Sequence, residues 1–183
     1  MGNQANQKIL QMIADFSNAK GPSGFEDETV LAARKHIGSG FDVEEDCLRN
    51  FYMYRKNNTG NKPVFMLDAH SDEVGFMVHS IRPNGTLRFV ALGGWNVGSL
   101  ASSKVLVRNA EGNWLPGIIA AKPVHFMSAS EKSSLGAADI SALSIDIGAV
   151  DARDAEENFK IRIGEPVAPD VTMEYDEQHD LMF

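Results

Sequence analysis

The chain has 183 residues, 43% of them hydrophobic, and carries 17 Lys+Arg against 25 Asp+Glu for a formal net charge of −8. That apolar share supports a packed core and excludes a largely disordered chain, and the length allows one ordinary domain or two small ones. An acidic chain with no Lys/Arg cluster is poorly built to grip phosphate backbones, which excludes nucleic acid as the expected partner.

Residues 1–6 have neither a basic region nor an apolar stretch, so they do not read as a signal peptide. Ile9, Leu10, Ile13 and Phe16 recur at the spacing that puts one apolar stripe on a helix. Gly21-Pro22 ends that helix, because proline lacks the N–H that would continue the ladder. Ser23, three residues before Glu26, has the pattern of a capping box. It predicts a second helix with Ser23 as N-cap, Val30, Ala33 and Ile37 on one side, and Gly38 at its end.

The apolar period then changes to two. Residues 41–44 and 50–56 are predicted as half-buried strands, and residues 57–61 as a turn. Cys47, the one cysteine, cannot form an intramolecular disulfide and reads as a semi-buried small apolar residue. Pro63-Val64-Phe65-Met66-Leu67 is continuously apolar, which predicts a central strand over 63–70 covered on both faces, as in an α/β sheet.

From 74 onward short strands alternate with turns. Residues 76–81 and 87–92 flank Arg82-Pro83-Asn84-Gly85-Thr86, and residues 104–108 and 114–120 flank Asn109-Ala110-Glu111-Gly112-Asn113. Residues 143–148 alternate as a further strand, and residues 151–159 read as a short helix with an acidic start. The region 74–162 is therefore expected to be a small β barrel or sandwich inserted into an α/β domain formed by 1–73 and 163–183. Residues 171–183 read as two strands around Asp176-Glu177-Gln178-His179-Asp180. The chain stops on Leu181-Met182-Phe183 with the expected sheet short of cover, so it is expected to be the N-terminal portion of a longer protein. The longest uncharged stretch, 89–103, is broken by glycines and too short to span a bilayer. The chain reads as cytoplasmic, with no membrane partner.

His70-Ser71-Asp72 is the sharpest chemical feature. It lies at the carboxyl end of the predicted central strand, the edge where open α/β sheets place ligands. Residues i and i+2 of an extended backbone point to one side, so His70 and Asp72 would project together. Imidazole is a favoured ligand for Zn²⁺, and a neighbouring carboxylate orients the ring and raises its basicity. The same pairing also serves as a structural hydrogen-bonded couple, and the spacing leaves both readings open. His36, His79 and His179 fit solvated or structural roles, while His125 sits in a loop where a binding role is conceivable. Asp151, Asp154, Glu156 and Glu157 read as a solvated helix face, and Trp95 as a partly buried loop aromatic.

Six motifs follow one another in an order that resembles a known family. They are Gly21-Pro22-Ser23-Gly24-Phe25-Glu26, the run from Met66-Leu67-Asp68-Ala69-His70-Ser71-Asp72 to Gly75-Phe76-Met77-Val78, and Leu92-Gly93-Gly94-Trp95. Leu115-Pro116-Gly117-Ile118-Ile119, Ile145-Asp146-Ile147-Gly148-Ala149 and Ile163-Gly164-Glu165-Pro166-Val167 complete the set. Together they resemble the glutamyl or tetrahedral aminopeptidases, dinuclear metallopeptidases of which some carry an older endoglucanase label.

The resemblance implies a zinc-peptidase-like catalytic α/β domain, incomplete here, with an inserted PDZ-like β-barrel domain used for dimerisation and for assembly into larger homo-oligomers. It implies that His70 binds one of two divalent ions, Zn²⁺ or Co²⁺, while Asp72 holds its ring as part of the catalytic machinery. The ions would polarise the peptide carbonyl and generate the attacking hydroxide, removing N-terminal residues from peptide substrates. In the family a bridging aspartate follows in a Gly-Lys-Ala-x-Asp-Asn-Arg-like stretch, with a general-base glutamate, further acidic ligands and a second histidine beyond it. None of these is found in this sequence, so partial or no metal occupancy and no activity are expected of this chain alone. The alternative is a non-catalytic self-association module. Glycoside hydrolysis, which the older label would imply, needs two carboxylates about 5–10 Å apart about a sugar site, and no pair in the sequence is nominated for it.

Overall fold

The computed structural model describes residues 2–129 and 139–183. In chain order its elements are α1 (Gly2–Asn18), α2 (Asp27–His36), β1 (Phe41–Glu45), β2 (Phe51–Arg55), β3 (Gly75–Ile81), β4 (Leu87–Leu92), β5 (Lys104–Arg108) and β6 (Trp114–Ala120). There follow β7 (Ser144–Asp146), α3 (Ala152–Glu157), β8 (Pro166–Pro169), β9 (Tyr175–Asp176) and β10 (Leu181–Met182). They divide into two compact units, Met1–Asp72 with Thr172–Phe183, and Glu73–Val171.

In the first unit α1 and α2 are joined by a polar cluster. Lys35 Nζ and His36 Nε2 each lie 2.6 Å from Asp15 Oδ2, Gln11 Nε2 donates to Oδ1 at 2.9 Å, and the Phe16 ring stacks on His36. The Lys35 ammonium first, then Gln11 and His36, lower the Asp15 pKa from 3.8 to about 2. A carboxylate with a depressed pKa stabilises the fold fully above its ordinary value and loses that contribution as pH falls through the folded one. The link between the two helices is therefore expected to weaken between pH 3.8 and about pH 2. A carboxyl ¹³C titration checks this directly, and Asp15→Asn should flatten the acid limb of the helical signal in that window.

Three expectations for this unit need correction. The second helix begins at Asp27, its N-cap is Glu26, and it has no side-chain cap bond, so Ser23 does not cap it. Glu26 instead turns its carboxylate back to accept from the Gly24 N–H at 2.6 Å, and Val30 and Ala32 are the buried residues of the helix. Cys47 is exposed, because it lies in the loop between β1 and β2 where Asp46 accepts from the Leu48 and Asn50 N–H groups. Residues 63–70 form no strand, and Val64, Phe65, Met66 and Leu67 are 78–87% exposed. The physical reason is that burial on both faces belongs to the neighbours of a strand. Here β1 and β2 form a sheet of two strands, and Tyr52, Met53 and Tyr54 of β2 are themselves exposed. An apolar run records a need for cover without naming the segment that supplies it. At the other end β9 and β10 pair as the expected short hairpin.

The second unit is a closed barrel in the order β3-β4-β7-β6-β5-β8, all its pairs antiparallel. Alternate residues point inward, so Phe76 and Val78, Leu87 and Phe89, and Val105 and Val107 fill it together with Ile119, Ile145 and Val167. Closure removes the unpaired sheet edge that a short open sheet would leave. β8 supplies that closure, with Val167 opposite both Phe76 and Val107. The compact unit that contains the barrel spans Glu73–Val171. Its prolines bracket the short β8 at both ends, which is why the sequence hid a strand whose central residues, Val167 and Ala168, are fully buried.

Asn109 is one of the few buried polar residues, and its bonds explain its position. Its Oδ1 accepts from the Glu111 and Asn113 N–H groups at 3.0 and 2.9 Å, and Nδ2 donates to the Phe159 carbonyl at 3.2 Å. The turn between β5 and β6 is thereby tied to the loop after α3. Trp95 is the partly buried loop aromatic that was expected, stacked on Phe76, with Nε1 donating to the Gly75 carbonyl at 2.9 Å. No helix among the described residues is long and apolar enough to cross a membrane.

Candidate functional site

His70 and Asp72 meet, although no strand carries them. His70 Nδ1 lies 3.0 Å from the Asp72 backbone carbonyl oxygen and 3.1 Å from Asp72 Oδ1. A carbonyl and a carboxylate both only accept, so Nδ1 carries the proton and donates to them. In the neutral ring this leaves Nε2 as the nitrogen with a free lone pair, the form in which imidazole binds a metal. The His70 side chain is 86% exposed and that of Asp72 38%.

Asp72 is held from its other side. Its Oδ2 accepts from the Ser23 hydroxyl. That bond is the main reason the Asp72 carboxyl lies below the ordinary carboxylate value; desolvation opposes it, and His70 adds to it. The loop before α2 places Ser23 for this contact. The Phe25 N–H closes a turn onto the Pro22 carbonyl at 2.8 Å, and Gly24 takes a φ of +89° within it. Pro22 is fully buried, and a Cβ at Gly21 would stand 2.5 Å from Thr29 Oγ1, so this segment is packed closely against α2. Ser23 was missed as a site residue from the sequence because the capping-box pattern already accounted for it. The available signal was its place in the first of the six ordered motifs.

The other sequence candidates lie elsewhere. His36 is engaged with Asp15 and Phe16, His179 Nδ1 lies 2.7 Å from Asp176 Oδ2, and His79 and His125 are exposed. Asp151 caps α3 by accepting from the Asp154 N–H at 2.8 Å, which gives one member of that charge run a structural task.

A catalytic zinc takes three protein ligands and keeps a further position open. His70, neutral and with its Nδ1–H held by a carboxylate, fits one such ligand together with the partner that orients it. Among the described residues no group of three His, Cys, Asp or Glu side chains could hold an ion. The pair thus fits one position of a metal centre and does not complete it.

Residues 50–182 match the family of M42 glutamyl aminopeptidases. The glutamyl aminopeptidase of Lactococcus lactis subsp. cremoris is 31% identical over 122 residues, 66% of this chain and 34% of that protein. A TET aminopeptidase structure from a marine sediment archaeon, Thaumarchaeota archaeon SCGC AB-539-E09, superposes with a TM-score of 0.85 at 32% identity, over 94% of this chain and 47% of that one. A Pyrococcus horikoshii TET1 peptidase that can assemble into a tetrahedron or a large octahedral shell shares the fold, with a TM-score of 0.72 at 23% identity over 91% of this chain and 48% of that one. The chain therefore spans between a third and a half of the length of these relatives.

Proposed function

The chain belongs to the M42 glutamyl aminopeptidase family, and on that premise we propose that it is part of a metal-dependent aminopeptidase that removes N-terminal residues from peptides. The observation that carries this reading is the His70–Asp72 pair, within the family match and in the tautomer a metal ligand needs. His70 presents Nε2 as one ligand of the centre, and Asp72 fixes the ring. The first unit is then read as the catalytic α/β portion, with the apolar run Val64 to Leu67 exposed next to the His70–Asp72 pair in sequence. The closed barrel of the second unit is read as the PDZ-like insertion used for self-association; that the chain self-associates at all is supported by the assembling relative.

With one ligand of the three a catalytic zinc requires, the 183-residue chain is expected to show no turnover of aminoacyl p-nitroanilides with added Zn²⁺ or Co²⁺. A chimera in which the chain replaces the matching part of the L. lactis enzyme should be active. In that chimera Asp72→Asn should cost about 10- to 100-fold in activity and in metal affinity, and His70→Ala at least as much. Turnover by the chain alone would refute the incompleteness of its site, and a fully active His70→Ala chimera would overturn the role given to His70. Light scattering on the same samples reports self-association.

A further inference from the structure

We propose that Ser23 is a positioning residue of this site: its hydroxyl holds the Asp72 carboxylate in the orientation that keeps His70 as the Nδ1–H tautomer, with Nε2 free for a metal ion. The inference rests on the reading of His70 as a ligand for its functional meaning, but the geometry behind it is independent of that reading.

An exposed His–Asp contact two residues apart is worth little on its own, since both side chains are solvated and must be ordered to meet. The terminal torsion of an aspartate is broad and roughly two-fold, so a carboxylate held at a single oxygen swings easily. Asp72 is held at both. Oδ1 faces His70 Nδ1 at 3.1 Å, adding to the Asp72 backbone carbonyl that accepts from the same nitrogen at 3.0 Å, and Oδ2 accepts from Ser23, which lies 49 residues earlier in the chain. The donor is mounted on a firm base: the closed turn at Pro22–Phe25, the fully buried Pro22 ring, and Gly21 packed against Thr29. Ser23 has no capping task to explain its hydroxyl, because α2 has no side-chain cap bond. A hydroxyl placed by a packed turn onto the free oxygen of the carboxylate that orients the histidine is the arrangement expected of a residue acting through Asp72 on His70.

The test uses the chain itself. Long-range ¹H–¹⁵N correlation spectra of the histidine rings distinguish Nδ1–H from Nε2–H at a pH where the ring is neutral. In the wild type His70 should be the Nδ1–H tautomer. Ser23→Ala and Ser23→Val should both shift it towards Nε2–H, while Ser23→Thr, which restores the hydroxyl at almost the shape of valine, should keep the wild-type state. Thermal midpoints of folded variants should stay within the spread of the Thr variant, separating positioning from a general loss of structure. Titration with Co²⁺, followed by broadening of the His70 ring signals, should give an affinity roughly tenfold lower in the Ala and Val variants. If those variants retain the wild-type tautomer and Co²⁺ response, the role of Ser23 is refuted. If Co²⁺ broadens no His70 signal in the wild type, the tautomer shifts alone decide whether Ser23 positions the ring, and the metal-ligand reading is decided by the His70→Ala chimera.

Discussion

Phe76→Ala should destabilise the barrel by about 3–5 kcal/mol, the cost of removing a large buried ring and leaving a cavity. Phe76 is 1% exposed, and its ring meets Phe89 edge-on at 5.0 Å and stacks against Trp95 at 4.6 Å. Its backbone also stands where β3 joins both neighbours, opposite Ala91 on β4 and Val167 on β8. The loss therefore falls where the barrel closes and cannot be absorbed by one flexible edge. A domain of this kind has about 5–15 kcal/mol in total, so roughly a fifth of the margin or more is at stake. Phe76→Leu, which keeps most of the volume, should cost less than about 1.5 kcal/mol. Both tryptophans, Trp95 and Trp114, belong to the barrel unit, so urea unfolding followed by tryptophan fluorescence reads that unit. A cost below about 1 kcal/mol for Phe76→Ala would mean that the ring is not part of a packed core.

Gly85→Ala should cost about 2–5 kcal/mol, and comparison with Gly112→Ala shows why. Both glycines sit in hairpin turns with left-handed backbone, φ +81° and +84°. A Cβ at Gly112 meets nothing within 4 Å, so that substitution carries only the backbone term, about 1–2 kcal/mol. A Cβ at Gly85 would stand 2.5 Å from the Ala149 carbonyl oxygen and 2.9 Å from its carbon, where a backbone would have to move. Overpacking of that kind adds about 1–3 kcal/mol. The same urea experiment compares the pair, and equal losses at the two positions would show that the turn between β3 and β4 is not pressed against the segment after β7.

Local pattern made much of this molecule legible. Period-two stretches separated by Gly- and Asn-rich turns correspond to β1 and β2 and to the barrel strands β3 to β7, because a strand with one wet face must alternate and a tight turn needs residues that accept its dihedral angles. The six motifs likewise led to the family that residues 50–182 match. The pattern misled where the deciding partner is distant in sequence. Ser23 and Glu26 satisfy the local rule for a cap, yet Ser23 donates to a carboxylate 49 residues away. Val64 to Leu67 announce burial that this chain does not provide. β8 is short, bracketed by prolines and without a readable period, and it became a strand because β3 and β5 had unpaired edges for it to close. What the sequence determined by itself was which residues can turn, alternate or ligate. Which groups meet was decided by tertiary structure, since a hydrogen bond or a barrel seam is chosen among all surfaces brought together by folding and not among neighbours along the chain.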